Sequence, residues 1–257
     1  MTTKTIVFIH GLFVNNTSWN EWKSYFEAKG YIVHTPANPG HEGDPARLRK
    51  TTHPQLTQTG FEDVVMNIAK FIDTLSEKPI VIGHSLAGLA VQKLIEMDKA
   101  VAGISIDGAP PKNVLAPLTT IKVVWPVVNF FKGSSPFLGS REWYHHAFFN
   151  NYTKAESDKF YDSIAVPESR KIARDTLLAS FSRIDFKKPH VPLLFIGGEK
   201  DNIFPATFTR RIAGSYKDKS SITDFKAFAG RSHFICGEEG WQEVADYVLN
   251  WIGTVNK

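Results

Sequence analysis

A single cysteine, Cys236, stands among 257 residues, so the chain cannot close an internal disulfide or build a multi-cysteine metal site. Long apolar runs are missing as well. Ile6–Ile9 stops at His10-Gly11, short of the roughly 7–15 residues of a signal-peptide core. Val123 to Phe131 is broken by Pro126 and Asn129 and falls below the roughly 18 residues of a membrane span. The expectation is a cytoplasmic chain with no membrane span. Neither sign of charge dominates: 30 Lys and Arg face 26 Asp and Glu, for a net charge of +4. The densest basic cluster, Arg47, Arg49 and Lys50, has no interleaved aromatics, whereas nucleic-acid binders gather positive charge on one face. No nucleic-acid partner is expected. A Gly-x-Gly-x-x-Gly fingerprint, a phosphate loop and a His-Glu-x-x-His pair are all absent, which predicts no organic cofactor and no metal. The partner left is a small-molecule substrate, and the oligomeric state stays open.

What is present reads as an ordinary folded domain, 42% hydrophobic and 22% charged, long enough for one α/β core. Short β-branched runs alternate with helix-period segments. Strands are predicted over Thr5–His10, Tyr31–Thr35, Ile80–Ile82, Val101–Ile106, Pro192–Ile196 and about Ser221–Phe228. Several are almost wholly apolar, as strands covered on both faces of a parallel sheet must be. Between them Phe61, Val64, Val65, Ile68 and Ile72 form a helical stripe, as do Trp241, Val244, Ala245, Val248 and Ile252. A shorter helix carrying Trp19, Trp22 and Phe26 ends before Gly30. This alternation predicts right-handed βαβ units and a mostly parallel, six-stranded sheet flanked by helices. Residues 111–188 break the rhythm with prolines, aromatics and helix-like stretches at Ala155–Tyr161 and Glu168–Phe181. They are read as a helical cap inserted into a core of residues 1–110 and 189–257.

Four segments carry chemistry. Gly83-His84-Ser85-Leu86-Ala87-Gly88 follows the Ile80–Ile82 strand and opens a helix of small and apolar residues. A nucleophilic serine needs that setting: a sharp turn that lifts its hydroxyl clear and a helix N-terminus beside it. Glycine is usual two residues after such a serine, and Ala87 is a small substitute. His10-Gly11-Leu12-Phe13 ends the first strand, where a backbone N–H can join that of Leu86 in an oxyanion hole. Leu12 is the favoured donor and Phe13 the second choice. Asp201 follows the Pro192–Ile196 strand, with Glu199 and Asp107 as weaker alternatives for an acid. His233 lies past the last strand and is the one histidine among nine that completes the order Ser…Asp…His. His10 and His84 are read as turn residues making structural hydrogen bonds. A serine hydroxyl is a poor nucleophile until an imidazole takes its proton, and the imidazole needs a carboxylate to fix its tautomer. Ser85, His233 and Asp201 are therefore the expected nucleophile, base and orienting acid.

Taken together, His-Gly after the first strand, Gly-His-Ser, Gly-Glu-Lys-Asp…Pro and Ser-His-Phe resemble the α/β-hydrolase family over nearly the whole chain. The direct start at the His-Gly strand, and the segment Trp22–Ala37, are similar to the compact plant methylesterase and hydroxynitrile-lyase branch. Lyases of that branch typically carry threonine where this chain has Gly11, so the resemblance implies an esterase. Haloalkane dehalogenases use an aspartate nucleophile, which Ser85 argues against. The expected function is hydrolysis of a carboxylic ester or thioester of a small, largely apolar substrate through an acyl-serine. Lyase, carbon–carbon cleavage or perhydrolase chemistry on this scaffold is the alternative, and a ligand-binding receptor that keeps the triad is a third.

Overall fold

The computed structural model describes residues 3–256. Six strands form one sheet: β1 (Thr5–Ile9), β2 (Ile32–His34), β3 (Ile80–His84), β4 (Ala102–Ile106), β5 (Leu193–Gly198) and β6 (Thr223–Phe228). Their order is β2-β1-β3-β4-β5-β6, and each neighbouring pair is parallel. The two outermost strands, β2 and β6, are the more exposed ones. The four inner strands are buried almost throughout, which is why their sequences read as unbroken apolar runs.

Six of the helices come from the βαβ crossovers and the C-terminus: α1 (Asn20–Glu27), α2 (Pro45–Lys50), α3 (Phe61–Ile72), α4 (Leu86–Glu96), α9 (Ala206–Ala213) and α10 (Gln242–Val255). Side chains of β1 alternate between the two faces of the sheet. Ile6 and Phe8 pack with Trp19, Trp22 and Phe26 of the α1 region and with Val244 and Val248 of α10. Val7 and Ile9 pack with Val64, Ile68 and Leu89 of α3 and α4. The helix stop read at Gly30 is real, since Gly30 takes φ +85° directly after α1.

Between β4 and β5 lie α5 (Leu118–Val128), α6 (Arg141–Ala147), α7 (Lys154–Ile164) and α8 (Arg170–Leu178). The helix expected to begin at Glu168 starts two residues later. Ser169 caps it by accepting the Lys171 N–H, while Glu168 pairs with Phe137 in an antiparallel bridge. Among the described residues no helix is long and apolar enough to cross a membrane.

The chain leaves β1 for β2 on one side and later passes from β3 to β4 on the other. The loops after β1 and β3 therefore diverge, opening a crevice at the carboxyl ends of those strands, where open α/β sheets take their ligands.

Candidate active site

Ser85 sits at the tip of the turn between β3 and α4 with φ +59° and ψ −123°. That is costly backbone for a side chain of any size, on the order of 1–3 kcal/mol. Neighbouring strands hold it there: the Ser85 N–H donates to the Ile106 carbonyl at 2.9 Å, and the Ser85 carbonyl accepts from the Gly88 and Ala109 N–H groups, each at 2.9 Å. Glycine at 83 lets α4 fold back tightly, because a Cβ there would lie 2.3 Å from the Ala87 carbonyl oxygen. Glycine at 11 serves the facing turn in the same way. A Cβ on it would stand 2.8 Å from Ser85 Cβ and 2.9 Å from the His84 carbonyl oxygen.

His233 follows β6, and its ring is fully buried between Phe148 and Phe204, with centroids 5.0 and 5.7 Å away. Its Nε2 lies 2.9 Å from Ser85 Oγ and its Nδ1 lies 2.7 Å from Asp201 Oδ2. With Nδ1 protonated, the ring donates to the carboxylate and accepts from the serine hydroxyl. The other Asp201 oxygen, Oδ1, accepts the Ile203 and Phe204 N–H groups at 2.6 and 2.9 Å. The three residues read from sequence are thus joined in one hydrogen-bonded line.

The alternative acids lie elsewhere. Glu199 is exposed. Asp107 is buried beside the site, where Oδ1 accepts the Gly198 N–H at 2.7 Å and Oδ2 has no partner among the described residues. Burial first, and then the neighbouring Asp201 charge, push the Asp107 carboxyl well above the usual carboxylate range. His84, Asp107 and His233 bring one ligand atom each within 4.8 Å of one another. Both ring nitrogens of His233 are already engaged and His84 Nε2 meets the His233 carbonyl at 2.8 Å, so a cation would have to break this network rather than fill it.

Leu12 and Leu86 both line the cavity at Ser85, and among the described residues neither N–H is taken by a protein acceptor. Phe13, the second candidate donor, adopts φ +69°. Its carbonyl is held by the Val166 N–H at 3.0 Å and the Tyr144 hydroxyl at 3.1 Å. Sequence reasoning missed both of these residues, which come from the stretch between β4 and β5. His10 anchors the turn from behind: its Nδ1–H donates to the Gly11 carbonyl at 2.8 Å and its Nε2 accepts the Asn38 N–H at 3.0 Å. Burial, reinforced by nearby His41, pushes its pKa down to about 3, which keeps the ring neutral.

The cavity in front of Ser85 measures about 300 Å³ and is lined almost wholly by apolar side chains, among them Leu12, Leu86, Val124, Val128, Trp143 and Phe148. The apolar run Val123–Phe131, too short to span a membrane, contributes Val124, Trp125, Val127, Val128 and Phe130 to this lining.

The chain matches the alpha/beta hydrolase family model over residues 6–247 and belongs to that family. No curated protein sequence matches it. Among solved structures it is similar to methylketone synthase I of tomato in complex with 2-tridecanone, at 15% identity and TM-score 0.72, covering 99% of this chain and 100% of that one. It is also similar to a methylesterase from Arabidopsis at 15% identity and TM-score 0.70, covering 97% and 99%. A third is the monoacylglycerol lipase of Paleococcus ferrophilus at 19% identity and TM-score 0.67, covering 98% and 95%. At these identities the likeness establishes the fold.

Proposed function

We propose that this protein is a serine hydrolase cleaving a carboxylic ester or thioester of a small, largely apolar substrate through an acyl-Ser85 intermediate. One observation carries the reading: Ser85 Oγ, the two nitrogens of His233 and Asp201 Oδ2 form a continuous line with contacts of 2.9 and 2.7 Å at the wall of an apolar cavity. His233 Nε2 takes the Ser85 proton as Oγ attacks the carbonyl carbon, and Asp201 stabilises the imidazolium that forms. The Leu12 and Leu86 N–H groups receive the oxyanion. His233 then gives its proton to the leaving oxygen or sulfur, and a water activated by the same imidazole releases the acid. Residues 111–188 act as a cap over a core of residues 1–110 and 189–257. The free thiol of Cys236 supports a cytoplasmic setting.

Glycine at 11 supports hydrolysis over lyase chemistry, because a threonine there would drive its Cβ to 2.8 Å from Ser85 Cβ. The cavity of about 300 Å³, apolar and open at one end, suits the acyl chain of a small lipophilic substrate. Turnover of p-nitrophenyl esters should therefore rise from acetate towards octanoate, and Ser85→Ala should reduce it to background. A Ser85→Ala protein that hydrolyses like wild type would remove the nucleophile from this account.

A further inference from the structure

The mouth of the apolar cavity opens onto a surface that water covers poorly. Leu115 is 84% exposed, Leu118 75% and Phe131 91%. Ile121, Trp125 and Phe130 are exposed by 38–47% while also lining the cavity. All six lie on α5 or directly beside it. Single exposed apolar residues need no account, but a contiguous set around a ligand opening marks an interaction surface.

The charges around this patch say what covers it. From Gly108 to Ser140 the chain holds Lys112, Lys122 and Lys132 and no aspartate or glutamate. Lys122 and Lys132 are exposed. The acid just before this stretch, Asp107, is fully buried. Arg174 and Arg211 add two further cations, since their guanidinium groups donate to the Gly133 and Leu115 carbonyls at the edge of the patch. Apolar side chains ringed by cations suit an anionic lipid surface: the rings and methyls enter the acyl boundary while lysine ammoniums rise to the headgroup phosphates. A second copy of this chain suits it badly, because a twofold dimer on this face would set one cationic, acid-free surface against another.

We propose that α5 and the turn that follows it dock this protein on an anionic lipid surface, with the cavity mouth facing the acyl layer. A lipophilic substrate then reaches Ser85 from the lipid without crossing water. The docking face is independent of the chemistry assigned to Ser85, whereas the substrate route rests on that assignment.

Co-sedimentation of the full chain with unilamellar vesicles tests this. The protein should pellet with mixed phosphatidylcholine–phosphatidylglycerol vesicles, pellet much less with phosphatidylcholine alone, and be released by high salt. Lys122→Ala and Lys132→Ala should each weaken binding about five-fold, and the pair Leu118→Ser and Phe131→Ser by at least about tenfold. None of these four residues lines the cavity, so turnover of a soluble p-nitrophenyl acetate should stay within about twofold and report an intact fold. Ser85→Ala should bind vesicles like wild type, which separates docking from catalysis. Absence of vesicle binding, or binding that ignores all four substitutions, overturns the proposal. So does a concentration-dependent dimer in analytical ultracentrifugation that the Leu118→Ser, Phe131→Ser pair abolishes while vesicles capture nothing.

Discussion

Two buried carboxyls stand within reach of one imidazole, and the surroundings of each decide its part. Asp201 receives three donors, from His233, Ile203 and Phe204. Asp107 receives one, from Gly198, and burial and the Asp201 charge both raise its pKa. Asp201→Asn should therefore lower kcat for a p-nitrophenyl ester by up to about 10⁴-fold, because the amide would impose the wrong tautomer on His233. Asp107→Asn, which keeps the shape and the acceptor for the Gly198 N–H and leaves the His233 contact untouched, should cost less than about tenfold. Equal losses in the two variants would mean that the carboxyls act as a unit. The sequence alone favours Asp201, since it lies on the loop after β5, but it offers no means of seeing the environment of Asp107. The Phe13 turn was illegible for a similar reason. Tyr144 and Val166 reach its carbonyl from more than a hundred residues away, and nothing in their local pattern points there.

At the scale of elements, the parallel strands were plain in the sequence because β1, β3, β4 and β5 are covered on both faces and so read as apolar runs. The edge strand β2 is only three residues long, and its read bounds were wider by one residue at each end. Of the helices between β4 and β5, α7 and α8 were legible as helices, whereas α5, interrupted by Pro126, and the short α6 were not; the packing of all four depends on contacts between distant segments. α5 contains Pro126 and ends in carbonyls without intrahelical donors. α8 supplies the missing partners: Arg170 donates to the Pro126 and Val127 carbonyls and Arg174 to those of Val128 and Asn129. Each charged hydrogen bond of this kind contributes about 1.5–3 kcal/mol. Arg174→Ala should lower Tm by several degrees in a thermal melt and loosen the α5 wall of the cavity. KM for an octanoate ester should then rise several-fold while kcat/KM for the acetate changes less than about twofold. An unaltered octanoate KM would show that α5 keeps its position without the clamp.

Across the whole molecule, buried histidines tie stability to pH with opposite signs. His10 is held neutral, its pKa pushed from 6.5 down to about 3 by burial and by His41. His84 is shifted well down by burial and then by His233. An unfolded chain takes up protons that these two rings refuse, so their contribution is full above about pH 6.5 and is lost as pH falls below it. His41 differs: burial alone would lower its pKa, but Glu168, 3.0 Å away and equally buried, raises it on balance. The stability this pair adds is present below about pH 6.5 and is lost as pH climbs through the raised value. Urea unfolding should accordingly show a fall in stability from about pH 6.5 towards pH 3, and His10→Gln should make that fall shallower. Parallel slopes for the two proteins would contradict the assignment of a buried neutral ring.

Reactivity of the Ser85 hydroxyl depends on strand β3, strand β5 and the exit of β6 bringing it together with one carboxylate and one imidazole. Intact-mass spectrometry of the protein after exposure to a fluorophosphonate measures that reactivity. One adduct per chain is expected, mapped to the peptide carrying Ser85, absent in Ser85→Ala and much slower to form in His233→Ala. A wild-type protein that stays unlabelled, or an adduct that persists in Ser85→Ala, would contradict it.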